Sequence, residues 1–136
     1  MLGRAARSLL GLLVGITLMG AVAGPALADP RDISVGGVWI TRIMQANAGY
    51  SAEERAVEIT RRITQVLSMP ELRQGVLITV HKSGTDAVVN VGDVLVFTVT
   101  PADAAGSGTT LYVAKQWAAL LGKGLSNALP GSNFHF

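Results

Sequence analysis

Apolar positions recur at helical spacing over residues 51–68 and at strand spacing over residues 76–99, and these two patterns divide the centre of the chain between them. In the first, Ala52, Ala56, Ile59, Ile63, Val66 and Leu67 fall on one stripe of a helix, with Glu53, Glu54, Glu58, Arg61, Arg62 and Gln65 mostly outside it. Ser51-Ala52-Glu53-Glu54 has the form of a capping box that opens the helix, and Met69-Pro70 closes it. In the second, Val76 to Val80, Ala87 to Val91 and Val94 to Val99 read as three strands separated by the turns Lys82 to Thr85 and Gly92-Asp93. Loops this short require antiparallel neighbours.

The flanking segments complete the pattern. After a polar stretch, Asp29 to Ser34, and the Gly36-Gly37 pair, Val38 to Met44 reads as a first strand. Val38, Ile40 and Arg42 share one face, and Trp39, Thr41 and Ile43 the other, which suits an edge strand. The glycine pair reads as a turn or bulge in preference to a close backbone contact. Thr100-Pro101-Ala102-Asp103 carries helix-start chemistry, and Gly106-Ser107-Gly108 breaks that helix after one or two turns. A new start near Thr109 or Thr110 leads into the stripe Leu111, Ala114, Trp117, Ala118, Leu121, Leu125 and Ala128, stopped by Pro130-Gly131. Gly122 and Gly124 each weaken that helix by roughly 1 kcal/mol relative to alanine and read as a loosened end in preference to a close approach to another surface. The order β-α-β-β-β-α predicts an α+β two-layer sandwich, with a mostly antiparallel four-stranded sheet and both helices largely on one face. The first strand is expected to rejoin the sheet by a right-handed crossover.

Charge reads differently once residues 1–28 are set apart. Arg4 and Arg7 precede an apolar run of about 17 residues, Ser8 to Gly24, and Pro25-Ala26-Leu27-Ala28 ends it at an A-x-A spacing. This is the pattern of a secretory signal peptide cleaved after Ala28, which places the mature protein in the periplasm or another extracytoplasmic space. An uncleaved membrane anchor is the competing reading. Of the 11 lysines and arginines, two leave with the leader, and the remaining nine balance the nine aspartates and glutamates. The precursor's pI of 9.4 therefore gives no support to a nucleic-acid partner. Residues 29–129 then form one domain, residues 130–136 are a C-terminal tail, and no membrane span is expected after cleavage.

Little in this composition supplies catalysis. The chain has no cysteine, which removes disulfides, thiolate chemistry and iron–sulfur clusters, and it has two histidines. His81 lies near Lys82, Ser83 and Asp86, so a small hydrolase or ligand-binding protein built on the His81/Asp86 hairpin is the alternative reading. A triad needs a held geometry and an oxyanion site, and a short hairpin offers neither. Glu53 and Glu54 are accounted for by helix capping, and Asp86, Asp93 and Asp103 by turns and a helix start. No catalytic, cofactor or metal residues are assigned, and the protein reads as a non-enzyme. Trp117 belongs to the core by its spacing. Trp39 and Tyr50 remain as the candidate contact patch, for an envelope protein or for self-association.

Four motifs in order carry a resemblance. VGGVWI in the first strand, SAEERA opening a helix, a strand running into TVTPADA, and a last helix with AKQWA resemble an exported domain. That domain stands ahead of the membrane region in some proteins of the mechanosensitive channel of small conductance family. The resemblance spans about Val35 to Leu129. It implies an extracytoplasmic α+β module that contacts other proteins or the envelope surface, here standing alone without the channel, and it transfers no catalytic residues. The expectation is a small exported interaction or accessory module of the cell envelope.

Overall fold

The computed structural model describes residues 29–136, so the leader expected at 1–28 lies outside the described residues. The fold is α+β. In chain order it comprises β1 (Asp32–Val35), β2 (Val38–Arg42), α1 (Ala52–Leu67), a 3-10 turn (Pro70–Gln74), β3 (Val76–Ser83), β4 (Asp86–Val91), β5 (Val94–Val99), α2 (Pro101–Ala104), α3 (Thr110–Ala128) and β6 (Phe134–His135). Two sheets result: a β1-β2 hairpin, and a four-stranded sheet in the order β5-β4-β3-β6.

Each predicted helix start is present in atomic detail. The Glu54 amide donates to Ser51 Oγ at 3.1 Å, and the Ser51 amide donates to Glu54 Oε1 at 3.0 Å. The same reciprocal pair opens α2, from the Asp103 amide to Thr100 Oγ1 at 3.2 Å and from the Thr100 amide to Asp103 Oδ2 at 2.9 Å. Thr109 caps α3 by accepting from the Tyr112 amide at 3.0 Å. Together these bonds satisfy donors that the first turn of a helix leaves open.

The first strand takes a different place from the one expected. The polar stretch Asp29 to Ser34 runs into β1, which pairs antiparallel with β2 from Asp32↔Arg42 to Val35↔Val38. Gly36 and Gly37, at φ 57° and 76°, form the two-residue turn between them, because the turn that matches strand twist needs positive φ at both central positions. Having found a partner locally, β2 makes no crossover into the larger sheet. The fourth strand there is β6, from the segment expected as a tail. It lies parallel to β3, with Val76↔Phe134 and Leu77↔His135 in register, and Phe134 packs against the core.

Helix α3 lies across the sheet and also meets the hairpin, while α1 meets β5 and β1. Phe97, Val89, Val91, Leu121 and Leu125 are fully buried between these layers. Trp117 is buried as predicted and meets Phe97 edge-on, with ring centroids 5.3 Å apart. The glycines of α3 do more than loosen its end. A Cβ on Gly124 would lie 2.5 Å from the carbonyl oxygen of Val35, and one on Gly36 would overlap the Gly124 carbonyl. Asn127 Nδ2 donates to the Gly36 carbonyl at 3.1 Å across the same contact. Hairpin turn and helix thus touch backbone to backbone, which the absence of side chains at both positions permits.

Candidate functional site

Two of the sequence motifs converge on one buried ion pair. Arg55, in the first turns of α1, donates to Asp103 at the start of α2 through both terminal nitrogens, at 2.9 and 2.7 Å. The two side chains are 8% and 3% exposed. Arg55 also donates to the carbonyls of Gln45 at 2.6 Å and Thr98 at 3.2 Å. One guanidinium therefore ties together the segment after β2, the helix α1, the end of β5 and the cap of α2. Burial by itself would raise the Asp103 carboxyl, but hydrogen bonds from Arg55 and from the Thr100 amide outweigh it and hold the group below its ordinary value. A fork of donors on a planar carboxylate, with a further lone pair taken by an amide, is a rigid arrangement. It positions the surface beside it.

That surface is a cleft of about 670 Å³ between α1, the turn Asn47 to Tyr50 and the end of β5. Its walls include Tyr50, Glu54, Val57, Glu58, Arg62 and Thr98, with Arg55 and Ile59 beneath. Reciprocal backbone bonds at 2.9 Å between Asn47 and Tyr50 close the turn. Its two central residues, Ala48 at φ 52° and Gly49 at φ 84°, both have left-handed backbone. An alanine held there costs about 1–2 kcal/mol, a strain that the surrounding contacts sustain. Glu58 accepts from Arg61 at 2.7 Å and from Arg62 at 3.1 Å, and the Arg61 hydrogen bonds bring its carboxyl down to about 2. Glu54 is held low by the Ser51 amide. Several of the charges around the cleft are thus already partnered, while Tyr50 and Val57 stand 59% and 66% exposed.

Trp39 and Tyr50, the two residues singled out by sequence, are both on the surface but in different settings. Trp39 is 56% exposed on the hairpin, where its indole donates to Asp32 Oδ1 at 3.2 Å. Arg42 pairs with the same carboxylate at 2.8 Å and approaches Asp29 at 3.5 Å, and Asp29 pairs with Arg31 at 2.8 Å. Asp29 is lowered chiefly by the Arg31 side chain, and Asp32 by Arg42 and then by the Trp39 indole. Tyr50 lies at the cleft instead, and among the described residues no hydrogen bond links the two aromatics. His81 is exposed within β3, opposite Val88, whereas Asp86 stands opposite Ser83 at the far side of the turn. No hydrogen bond joins His81 to Asp86 among the described residues, and no group of three or more His, Asp or Glu residues there is arranged to hold a metal ion.

Sequence reasoning placed Asp103 at a helix start but gave Arg55 no role. The signal was the arginine at the fourth position of a helix otherwise opening with two acids. It falls on the buried side of α1 with Ile59, so it required a buried anion from elsewhere.

Residues 32–128 match a family described as a domain of unknown function, DUF8459. The chain belongs to the DUF8459 family. The matched region begins at the first residue of β1 and ends at the last residue of α3, so the hairpin, the three capped helices, the ion pair and the cleft of this DUF8459 domain all lie within it. No curated protein and no solved structure matches the chain. No helix among the described residues is long and apolar enough to cross a membrane.

Proposed function

We propose that this DUF8459 domain is an exported, non-enzymatic interaction module of the cell envelope, and that its contact surface is the cleft beside α1. The observation that carries the reading is the exposed Tyr50–Val57 margin of a 670 Å³ cleft built on a rigid buried ion pair. Exposed aromatic and aliphatic groups on a fixed frame suit protein contact, since anchors of that kind bind without a large ordering cost. The signal-like leader supports export, and an envelope setting fits the resemblance of the sequence motifs to the domain ahead of small-conductance mechanosensitive channels.

The test replaces Tyr50 with a photo-crosslinking amino acid and irradiates intact envelopes, with Trp39 replaced in parallel. A discrete adduct at Tyr50 is expected, weaker or absent at Trp39. Absence of any adduct at Tyr50, together with a mature protein that stays in the cytoplasm, would remove the basis of the proposal. N-terminal sequencing of the same preparation is expected to begin at Asp29.

A further inference from the structure

We propose that a second copy of this chain docks on the exposed stripe of α1, about a two-fold axis that passes beside Val57. The inference rests on the interaction reading above and names its partner. At 100° per residue, Glu53, Thr60, Arg61 and Thr64 all lie within about 60° of Val57 around the helix. Each of these residues is exposed, and they form a single stripe on the face opposite the buried Ile59 and Ile63. Val57 is the apolar residue at its centre.

Charge along that stripe is polar in a way that suits self-pairing. Glu53 stands four residues before Val57 and Arg61 four residues after it. A two-fold axis at Val57 runs the two helices antiparallel, sets valine against valine, and brings Glu53 of each copy opposite Arg61 of the other. A patch with one sign at each end and an apolar centre is complementary to itself only in this orientation, and isologous contacts require that property. A parallel arrangement would oppose like charges. Arg61 now bonds Glu58 on its own helix at 2.7 Å, with its side chain 62% exposed. That solvent-exposed pair is weak and leaves Arg61 free to be shared. Glu53 and Val57 of the stripe also line the cleft, so a second copy centred on Val57 would sit at the margin that Tyr50 shares.

Sedimentation equilibrium of the purified protein over a concentration series tests the proposal. A reversible dimer that weakens with added salt is expected. Val57→Lys places two cations on the axis and should abolish it. Glu53→Arg and Arg61→Glu should each weaken the dimer on the order of tenfold, because each reverses two symmetry-related pairs. Glu53→Arg/Arg61→Glu in one chain should restore it, and so should mixing the two single variants, which form complementary heterodimers. Rescue of this kind excludes misfolding as the cause. A wild-type protein that is monomeric up to roughly 1 mM, the weak end of measurable association, overturns the proposal. So does a dimer indifferent to Val57→Lys, or mixed variants that fail to associate. A monomeric chain that still crosslinks at Tyr50 to a different protein would refute the second copy and leave the interaction reading standing. An adduct of twice the chain mass supports both.

Discussion

Replacing Gly124 with alanine pits two effects of known sign against each other. In the interior of α3, alanine is favoured over glycine by about 1 kcal/mol, so the substitution should stabilise the protein if the helix alone matters. Against this, the new Cβ would lie 2.5 Å from both the Val35 carbonyl oxygen and its Cγ1. Ordinary carbon–oxygen contacts are about 3.3 Å or longer, so the hairpin would have to withdraw by nearly 1 Å. It is not free to do so: Val35 is 6% exposed, and the turn is held by the Asn127 bond to Gly36. Overpacking against backbone costs about 1–3 kcal/mol or more, and we expect a net loss of roughly 1–2 kcal/mol for Gly124→Ala.

Three other glycines provide the controls. Gly122→Ala meets the flexible Ile78 Cδ1 at 3.1 Å and should be neutral or stabilising. Gly37→Ala has open space but φ 76°, so it should lose only the backbone term of about 1–2 kcal/mol. Gly36→Ala combines positive φ with a clash against the Gly124 carbonyl and should be the least stable of the four. Thermal unfolding followed by circular dichroism measures the series, each kcal/mol moving the melting temperature by about 4–8 °C in a domain of this size. A Gly124→Ala protein as stable as Gly122→Ala would refute the close approach of hairpin and helix.

The remaining predictions concern the junction under the cleft and its edge. Arg55→Met strands a buried carboxylate and should cost about 3–5 kcal/mol, while Arg55→Met/Asp103→Leu should cost less than the single change; unfolding curves of both decide it. Because the Asp103 carboxyl is lowered on folding, the stability it confers is complete above its ordinary value of 3.8 and is lost as pH falls through the lower folded value. Acid unfolding profiles should therefore lose part of their steepness below that pH in Asp103→Asn, and superimposable profile shapes would contradict it. Ala48→Gly should gain about 1 kcal/mol by relieving left-handed strain in the cleft turn, measured by the same melts.

Features written in local sequence were legible, and those that depend on distant partners were not. The caps at Ser51, Thr100 and Thr109, the three strands from Val76 to Val99 and the burial of Trp117 follow from spacing and short-range hydrogen bonding, so the α+β class could be read directly. Strand β1 escaped notice because its alternation, Ile33 and Val35 inward against Asp32 and Ser34, lasts only four residues and merges with the polar stretch before it. Its identity depends on the Gly36-Gly37 turn and on the Asp32–Arg42 pair across the hairpin. The two-residue β6 is too short to leave a pattern and exists by pairing with β3.

The candidate site shows the same division more sharply. Tyr50 could be named from its place before a helix cap, but the cleft it borders is created by Arg55 reaching Asp103, 48 positions away. SAEER and TPAD each look like ordinary capping sequences when read alone. Together they explain why an arginine is tolerated on the buried side of α1: Asp103 caps the start of its own helix and neutralises Arg55 with the same carboxylate. That double use fixes α1 relative to the sheet, and a helix held so firmly presents Glu53, Val57 and Arg61 as a rigid stripe. Rigidity of this kind removes the ordering cost that a mobile surface would incur on association. The buried pair and the exposed stripe are thus two faces of one helix, the first giving the second its fixed geometry.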